Sequence, residues 1–192
     1  MKHIGIDYGS KYSGTTAICY VEDKKLHFAQ SVKQEDADAF VEKMIKELAP
    51  KAVYIDAPLS LPGAYFNKGD DFFFRKCDKE LDAKSPMSIG RLTATAMQLQ
   101  EKYDGKKMTF HETLPTALGA LLCKAAGREW SVKHKALEPF CELLAEQLPH
   151  PFAEKVENWH QVEAALAWLS GLRHIAGKAE EVGDVNEGII VY

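Results

Sequence analysis

Hydrophobic and polar positions alternate at the start of the chain. Ile4 and Ile6 are apolar while Gly5 and Asp7 are not, the two-residue period of a strand. Gly9 and Gly14 bracket a polar turn and a β-rich run from Thr15 to Val21 follows, so the opening reads as a hairpin with Asp7 near the end of its first strand. Lys25 to Val32 predicts a third strand that completes a meander. The period then changes. Ala37, Phe40, Val41, Met44, Ile45 and Leu48 recur at helical spacing, and Pro50 stops that helix. Ala52-Val53-Tyr54-Ile55-Asp56 is a continuous apolar run closing on a carboxylate, which predicts an interior strand parallel to the first.

After Asp56 the pattern dissolves, because the prolines of Ala57-Pro58-Leu59-Ser60-Leu61-Pro62-Gly63 forbid regular structure. An insertion over residues 57–104 follows. It carries a predicted helix from Asp71 to Leu81, with Phe73, Cys77 and Leu81 on one side, a break at Ser85-Pro86-Met87-Ser88, and a second helix from Gly90 to Tyr103. Insertions of this size at a strand end often form lids or substrate walls. Lys107 to Glu112 predicts the fifth strand, again ending in an acid. Helices are expected over Pro115–Ala126, Val132–Gln147 and Glu157–Ala176, and Gly188 to Tyr192 reads as an edge strand or an apolar end. The whole predicts one α/β domain over 1–192, a mixed five-stranded sheet flanked by helices with a helical insertion after the fourth strand.

Charge narrows the partners. The 192 residues carry 24 Lys and Arg against 28 Asp and Glu, a net charge of −4, so no global basic character announces a large polyanion. A local basic strip could draw on Lys102, Lys106, Lys107, Lys124, Arg128, Lys133 and Lys135, although scattered lysines ordinarily serve solubility. Cys19, Cys77, Cys123 and Cys141 form no CxxC pair, which points to buried thiols rather than zinc or disulfides. The first strand begins almost at once, leaving no room for a signal peptide, and no apolar run is long enough to span a membrane. A cytoplasmic protein without membrane contact is the expectation.

Three predicted strands end in an acid: Asp7, Asp56 and Glu112. If those strands are parallel and adjacent, the acids share the sheet edge at which α/β proteins bind ligands. A single strand-terminal Asp also serves to brace the following turn. Glu163 is the only charge between Val162 and Leu169. Its neighbours four residues away are Trp159 and Ala167, so no helical cation pairs with it, and His160 lies one turn earlier on the same side. Asp7, Asp56 and Glu163, with Glu112 nearby, make an oxygen-rich set suited to Mg²⁺ or Mn²⁺, which relieve the repulsion of crowded carboxylates. Two such ions about 3.5–4 Å apart would activate water on one side of a phosphodiester and steady the leaving oxygen on the other. Arg75 and Asp78 lie one turn apart in the insertion. They read either as an internal ion pair or as a clamp in which Arg75 grips a phosphate or carboxylate of the substrate.

With these residues placed, the chain resembles the ribonuclease H-like superfamily over nearly its whole length. Within it, the chain is similar to the family called domain of unknown function 429, described as predicted ribonuclease H-like nucleases. The residues carrying this likeness are Gly5-Ile6-Asp7, Ile55-Asp56-Ala57-Pro58-Leu59, Arg75-Lys76-Cys77-Asp78, Glu112-Thr113-Leu114-Pro115, Glu163-Ala164-Ala165, Gly183-Asp184 and Glu187-Gly188. The resemblance implies metal-binding and catalytic roles for Asp7, Asp56 and Glu163, and substrate contacts for Arg75, Asp78 and Glu112. RuvC-type Holliday-junction resolvases are similar in their last helix, where a carboxylate or His precedes the final acid by three residues. His160 and Glu163 fit that spacing and would make His160 a metal ligand, although the final acid is more often Asp.

The activity so implied is metal-dependent hydrolysis of a nucleic acid or a smaller phosphodiester. Two alternatives use the same residues. Asp7-Tyr8-Gly9-Ser10, with Thr15 and Thr16, looks like the phosphate-holding hairpin of actin-like ATPases and sugar kinases, which normally carry two such domains. A non-catalytic binding module with a structural cluster is the other.

Overall fold

The computed structural model describes residues 1–105, 108–130 and 137–192. The alternation at the start of the chain becomes strand β1, His3–Asp7, which pairs antiparallel with β2, Ala17–Glu22, followed by β3, Lys25–Gln30. Helix α1, Ala37–Leu48, begins where the Asp36 carboxylate accepts the backbone N–H groups of Asp38 and Ala39, and stops at Ala49 in a left-handed conformation one residue before Pro50. The apolar run after it is β4, Ala52–Asp56, which lies parallel to β1 with Asp7 directly opposite Asp56.

The insertion departs most from expectation. The helix predicted from Asp71 to Leu81 shrinks to α2, Lys76–Glu80. Arg75 has an extended backbone (φ −82°, ψ 167°), so the helix starts only after it and its side chain turns inward, and Asp71 instead accepts the N–H groups of Phe73 and Phe74 in a tight turn. Cys77 is buried, whereas Phe73 lies in solvent. Helix α3, Gly90–Tyr103, has the expected bounds.

Strand β5, Thr109–Thr113, lies parallel to β4, and helices α4, Pro115–Ala125, α5, Leu137–Gln147, and α6, Trp159–Ile175, follow. The expected starts at Lys107 and Val132 lie outside the described residues. Among the described residues the sheet has seven strands rather than five, in the order β3-β2-β1-β4-β5-β7-β6. The additions are β6, Glu181–Asp184, and β7, Gly188–Val191, and β7 is no edge strand but sits between β5 and β6. β6 offered little to read, since Val182 is its one large apolar residue and Gly183 interrupts it. Among the described residues no helix is long and apolar enough to cross a membrane.

Among the described residues, the two larger of three hydrophobic clusters cover the two faces of the sheet. Ile4, Ile6, Ile18, Val53 and Ile55 pack with α1 and α3, while Ala17 and Cys19 pack with α4, α5 and α6. Gly5 points to the α6 face. A Cβ there would run into the backbone of Ala164 and Trp168, so the missing side chain lets α6 lie directly on β1. That approach brings α6 to the end of β1, where Asp7 is. We expect Gly5→Ala to cost about 1–3 kcal/mol in chemical denaturation as the helix is forced away. Wild-type stability in this variant would show that the contact is soft.

Candidate active site

Asp7 and Asp56 end neighbouring parallel strands in register, so their side chains leave the same end and the same face of the sheet. Helix α6 crosses that face. Asn158 caps its first turn by accepting the Gln161 N–H, which fixes His160 and Glu163 within the opening turns of the helix. His160 Nδ1 lies 2.7 Å from Asp7 Oδ2, and Asp7, His160 and Glu163 each offer a ligand atom within 4.8 Å of one another. Asp56 stands outside that trio but lines the same 490 Å³ cleft, together with Glu112, Asp78 and Lys84.

The acids are protonated more readily than ordinary carboxyls. Burial pushes Asp7 upward, against the hydrogen bond and charge of His160. Burial also raises Asp56 well above its usual range, reinforced by Asp7, Glu163 and Glu112. Glu163 is pushed up to about 7 by burial and then by Asp7. His160 is raised, chiefly by its hydrogen bond to Asp7. The three carboxyl shifts share burial of negative charge as their first cause, and a divalent cation would offset it. Two carboxylate oxygens and an imidazole nitrogen also suit such an ion chemically.

Glu112 takes another direction. It pairs with Ile55 rather than Asp56, so the pleat turns it toward the opposite face of the sheet. There it meets Arg75, which is 0% exposed. The guanidinium donates to Glu112 Oε1 and Oε2 at 2.6 and 2.7 Å, to Asp78 Oδ1 and Oδ2 at 2.7 and 3.1 Å, and to Ser60 Oγ at 2.8 Å. All five N–H donors of the side chain are thereby engaged. Asp78 also accepts the Arg75 backbone N–H, and Glu112 the Leu59 N–H. Burial works against the charge of Arg75, but Glu112 and Asp78 outweigh it and hold its pKa above the ordinary value.

Two participants were not read as site residues from the sequence, although Glu187-Gly188 belongs to the family likeness. Glu187, in the turn between β6 and β7, accepts the N–H groups of Gly63 and Lys76, while its carbonyl accepts the Ser60 hydroxyl. Lys84 lines the cleft from the loop after α2 and carries no pattern beyond its place beside Ser85-Pro86. Of the basic strip, Lys106, Lys107, Lys133 and Lys135 lie outside the described residues, Lys102 pairs with Glu42 at 2.6 Å, and Arg128 donates to the Pro139 carbonyl.

Among solved structures, a Thermus thermophilus RuvC structure matches with a TM-score of 0.50 and 18% identity, over 95% of this chain and 99% of that one. A structure of T. thermophilus RuvC in complex with Holliday junction substrate matches with a TM-score of 0.48 and 16% identity, over 94% and 98% of the two chains. The first likeness shows the fold alone, which is that of the RuvC structure. No family model matches the chain, and no curated protein does.

Proposed function

We propose that this chain is a divalent-cation-dependent phosphodiester hydrolase, a nuclease of the kind described for the domain of unknown function 429 family. The observation that carries this reading is the convergence of Asp7, His160 and Glu163 at the C-terminal end of β1, with Asp56 beside them in one cleft. Asp7, Glu163 and His160 would hold Mg²⁺ or Mn²⁺, with Asp56 as a further ligand or as its charge partner. A bound cation would supply positive charge to the scissile phosphate and make water easier to ionise. Alternatively, His160, whose basicity Asp7 raises, would stay off the cation and accept the proton of an attacking water. The Arg75–Asp78–Glu112 group, on the other face, holds the cleft wall to the sheet. The cleft would accept a nucleic acid strand or a smaller phosphodiester.

Calorimetry with Mn²⁺ tests the reading. The longer arm of Glu163 and the nitrogen of His160 both favour Mn²⁺ over Mg²⁺, which demands stricter octahedral oxygen geometry. We expect measurable Mn²⁺ binding in the wild type, a sharp loss in Glu163→Gln with the fold intact, and a smaller loss in His160→Ala. Equal binding by wild type and Glu163→Gln, or none at millimolar concentration, removes the metal site and leaves the binding-module alternative. A thermal-shift panel adds a second axis, since stabilisation by Mg-ATP but not by Mn²⁺ would instead support the kinase-like alternative.

The same groups predict opposite pH trends with and without metal. A carboxyl raised from 4.5 to about 7 binds a proton in the folded state that the unfolded chain has already lost. The metal-free protein therefore loses that stability as pH rises through about 7. His160 has the same sign, because its raised pKa stabilises below its ordinary value and fades as pH climbs. Between about pH 5 and pH 8 the denaturation midpoint of Glu163→Gln should rise relative to wild type without metal, while wild-type Mn²⁺ affinity should increase. Parallel midpoints across that range would place Glu163 in solvent rather than against Asp7.

A further inference from the structure

Lys84 is held between two anchored neighbours. The Ala83 N–H donates to the Asp78 carbonyl at 2.8 Å, and the buried Ser85 donates its hydroxyl to the Phe73 carbonyl at 2.5 Å. Pro86 follows, with its carbonyl accepting the Thr93 hydroxyl at 2.8 Å, so the backbone on both sides has little freedom. The Lys84 side chain is exposed and lines the cleft that holds Asp7, Asp56, His160 and Glu163. Among the described residues it is the one Lys or Arg lining that cleft.

Neighbouring cations are committed elsewhere. Lys68 donates to Asn186 at 2.7 Å, Lys79 pairs with Asp71 at 2.6 Å, Arg91 pairs with Asp38 at 2.8 Å, and Arg75 is fully engaged. Lys84 makes no ion pair or hydrogen bond among the described residues. Its charge is nevertheless felt by the site, where it works against the upward shifts that burial imposes on Asp7, Asp56 and Glu163. A fixed backbone, a free ammonium and three acids within its field are a poor match to a merely solubilising lysine.

We propose that Lys84 is the substrate-phosphate contact of this cleft, its ammonium meeting a non-bridging oxygen of the phosphodiester while the acids serve the cation. The proposal rests on the hydrolase reading above. Acids alone repel a phosphodiester, so the cleft needs positive charge from its other wall. A compact ammonium with three donors contacts phosphate oxygens without the fixed bidentate geometry that Arg imposes.

The test compares wild type, Lys84→Met and Lys84→Arg, with Mn²⁺, on bis-p-nitrophenyl phosphate and on a single-stranded oligonucleotide. Lys84→Met should raise KM about tenfold on both substrates, with Lys84→Arg recovering part of the loss. In calorimetry without substrate, Lys84→Met should bind Mn²⁺ about threefold more tightly, because a repelling charge has gone. A role confined to solubility moves neither quantity. Wild-type KM in Lys84→Met overturns the assignment, whatever happens to Mn²⁺ affinity, and leaves the hydrolase reading standing if the wild type cleaves. A wild type that binds no Mn²⁺ and cleaves neither substrate overturns both. An increase on the oligonucleotide alone also overturns it, since the contact would then lie outside the scissile phosphate.

Discussion

Asp7→Asn should remove divalent-cation-dependent cleavage, lowering kcat/KM by about 10³-fold or more, roughly 4 kcal/mol of transition-state stabilisation. Among the described residues Asp7 is the one acid hydrogen-bonded to His160, at 2.7 Å, and the proposed cation site takes it together with Glu163. Asn keeps the size of the side chain and an oxygen that can accept from His160, so the packing of β1 against α6 is spared. It removes a negative charge whose burial is unfavourable and which repels Asp56 and Glu163. The metal-free variant should therefore melt at or above the wild-type temperature, and Mn²⁺ should no longer raise it. Kinetics and thermal melts with and without Mn²⁺ check both halves. A variant that melts well below wild type without metal would identify Asp7 as a brace for the turn.

Arg75→Met should have the opposite profile, costing stability before chemistry. The guanidinium is the only cation in contact with buried Asp78 and Glu112 among the described residues, and Met leaves two carboxylates facing each other. Breaking a buried pair from one side typically costs 3–5 kcal/mol, which for a chain of 192 residues lowers the melting temperature by about 10 °C. Adding Glu112→Gln should recover part of the loss, because one orphaned charge is then gone. Calorimetric melts of the single and double variants measure this directly. If Arg75→Met instead melts like wild type and raises KM alone, the clamp reading replaces the brace.

Much of this was legible in the residues, for identifiable reasons. Strand β1 shows because one face is apolar and the other is not, and α1 and α3 show because their apolar stripes end at turn-forming residues. The acid on α6 stood out because small and apolar residues surround it, and the structure sets it beside Asp7. What escaped depends on partners far along the chain. The short α2 follows from Arg75 turning inward to an acid 37 positions away, which no local period encodes. Glu112 looked equivalent to Asp56, yet a register that pairs it with Ile55 sends it to the other face. Strand β6 is held by its pairing to β7 rather than by any pattern of its own. Lys84 resembles any exposed lysine until the insertion is folded over the acids.

The contact between Asp7 and His160 joins residues 153 positions apart, and Ser60 reaches Glu187 across 127. Such separations delay these contacts during folding, because nearly the whole chain must be ordered before the two halves of the cluster meet. If the cation binds as proposed, no partly folded species with only the first meander in place could hold it. In a refolding time course, Mn²⁺ affinity should appear with the slowest phase rather than with the early gain of helix. Captured metal would then act as a late lock on a chain that has already found its topology.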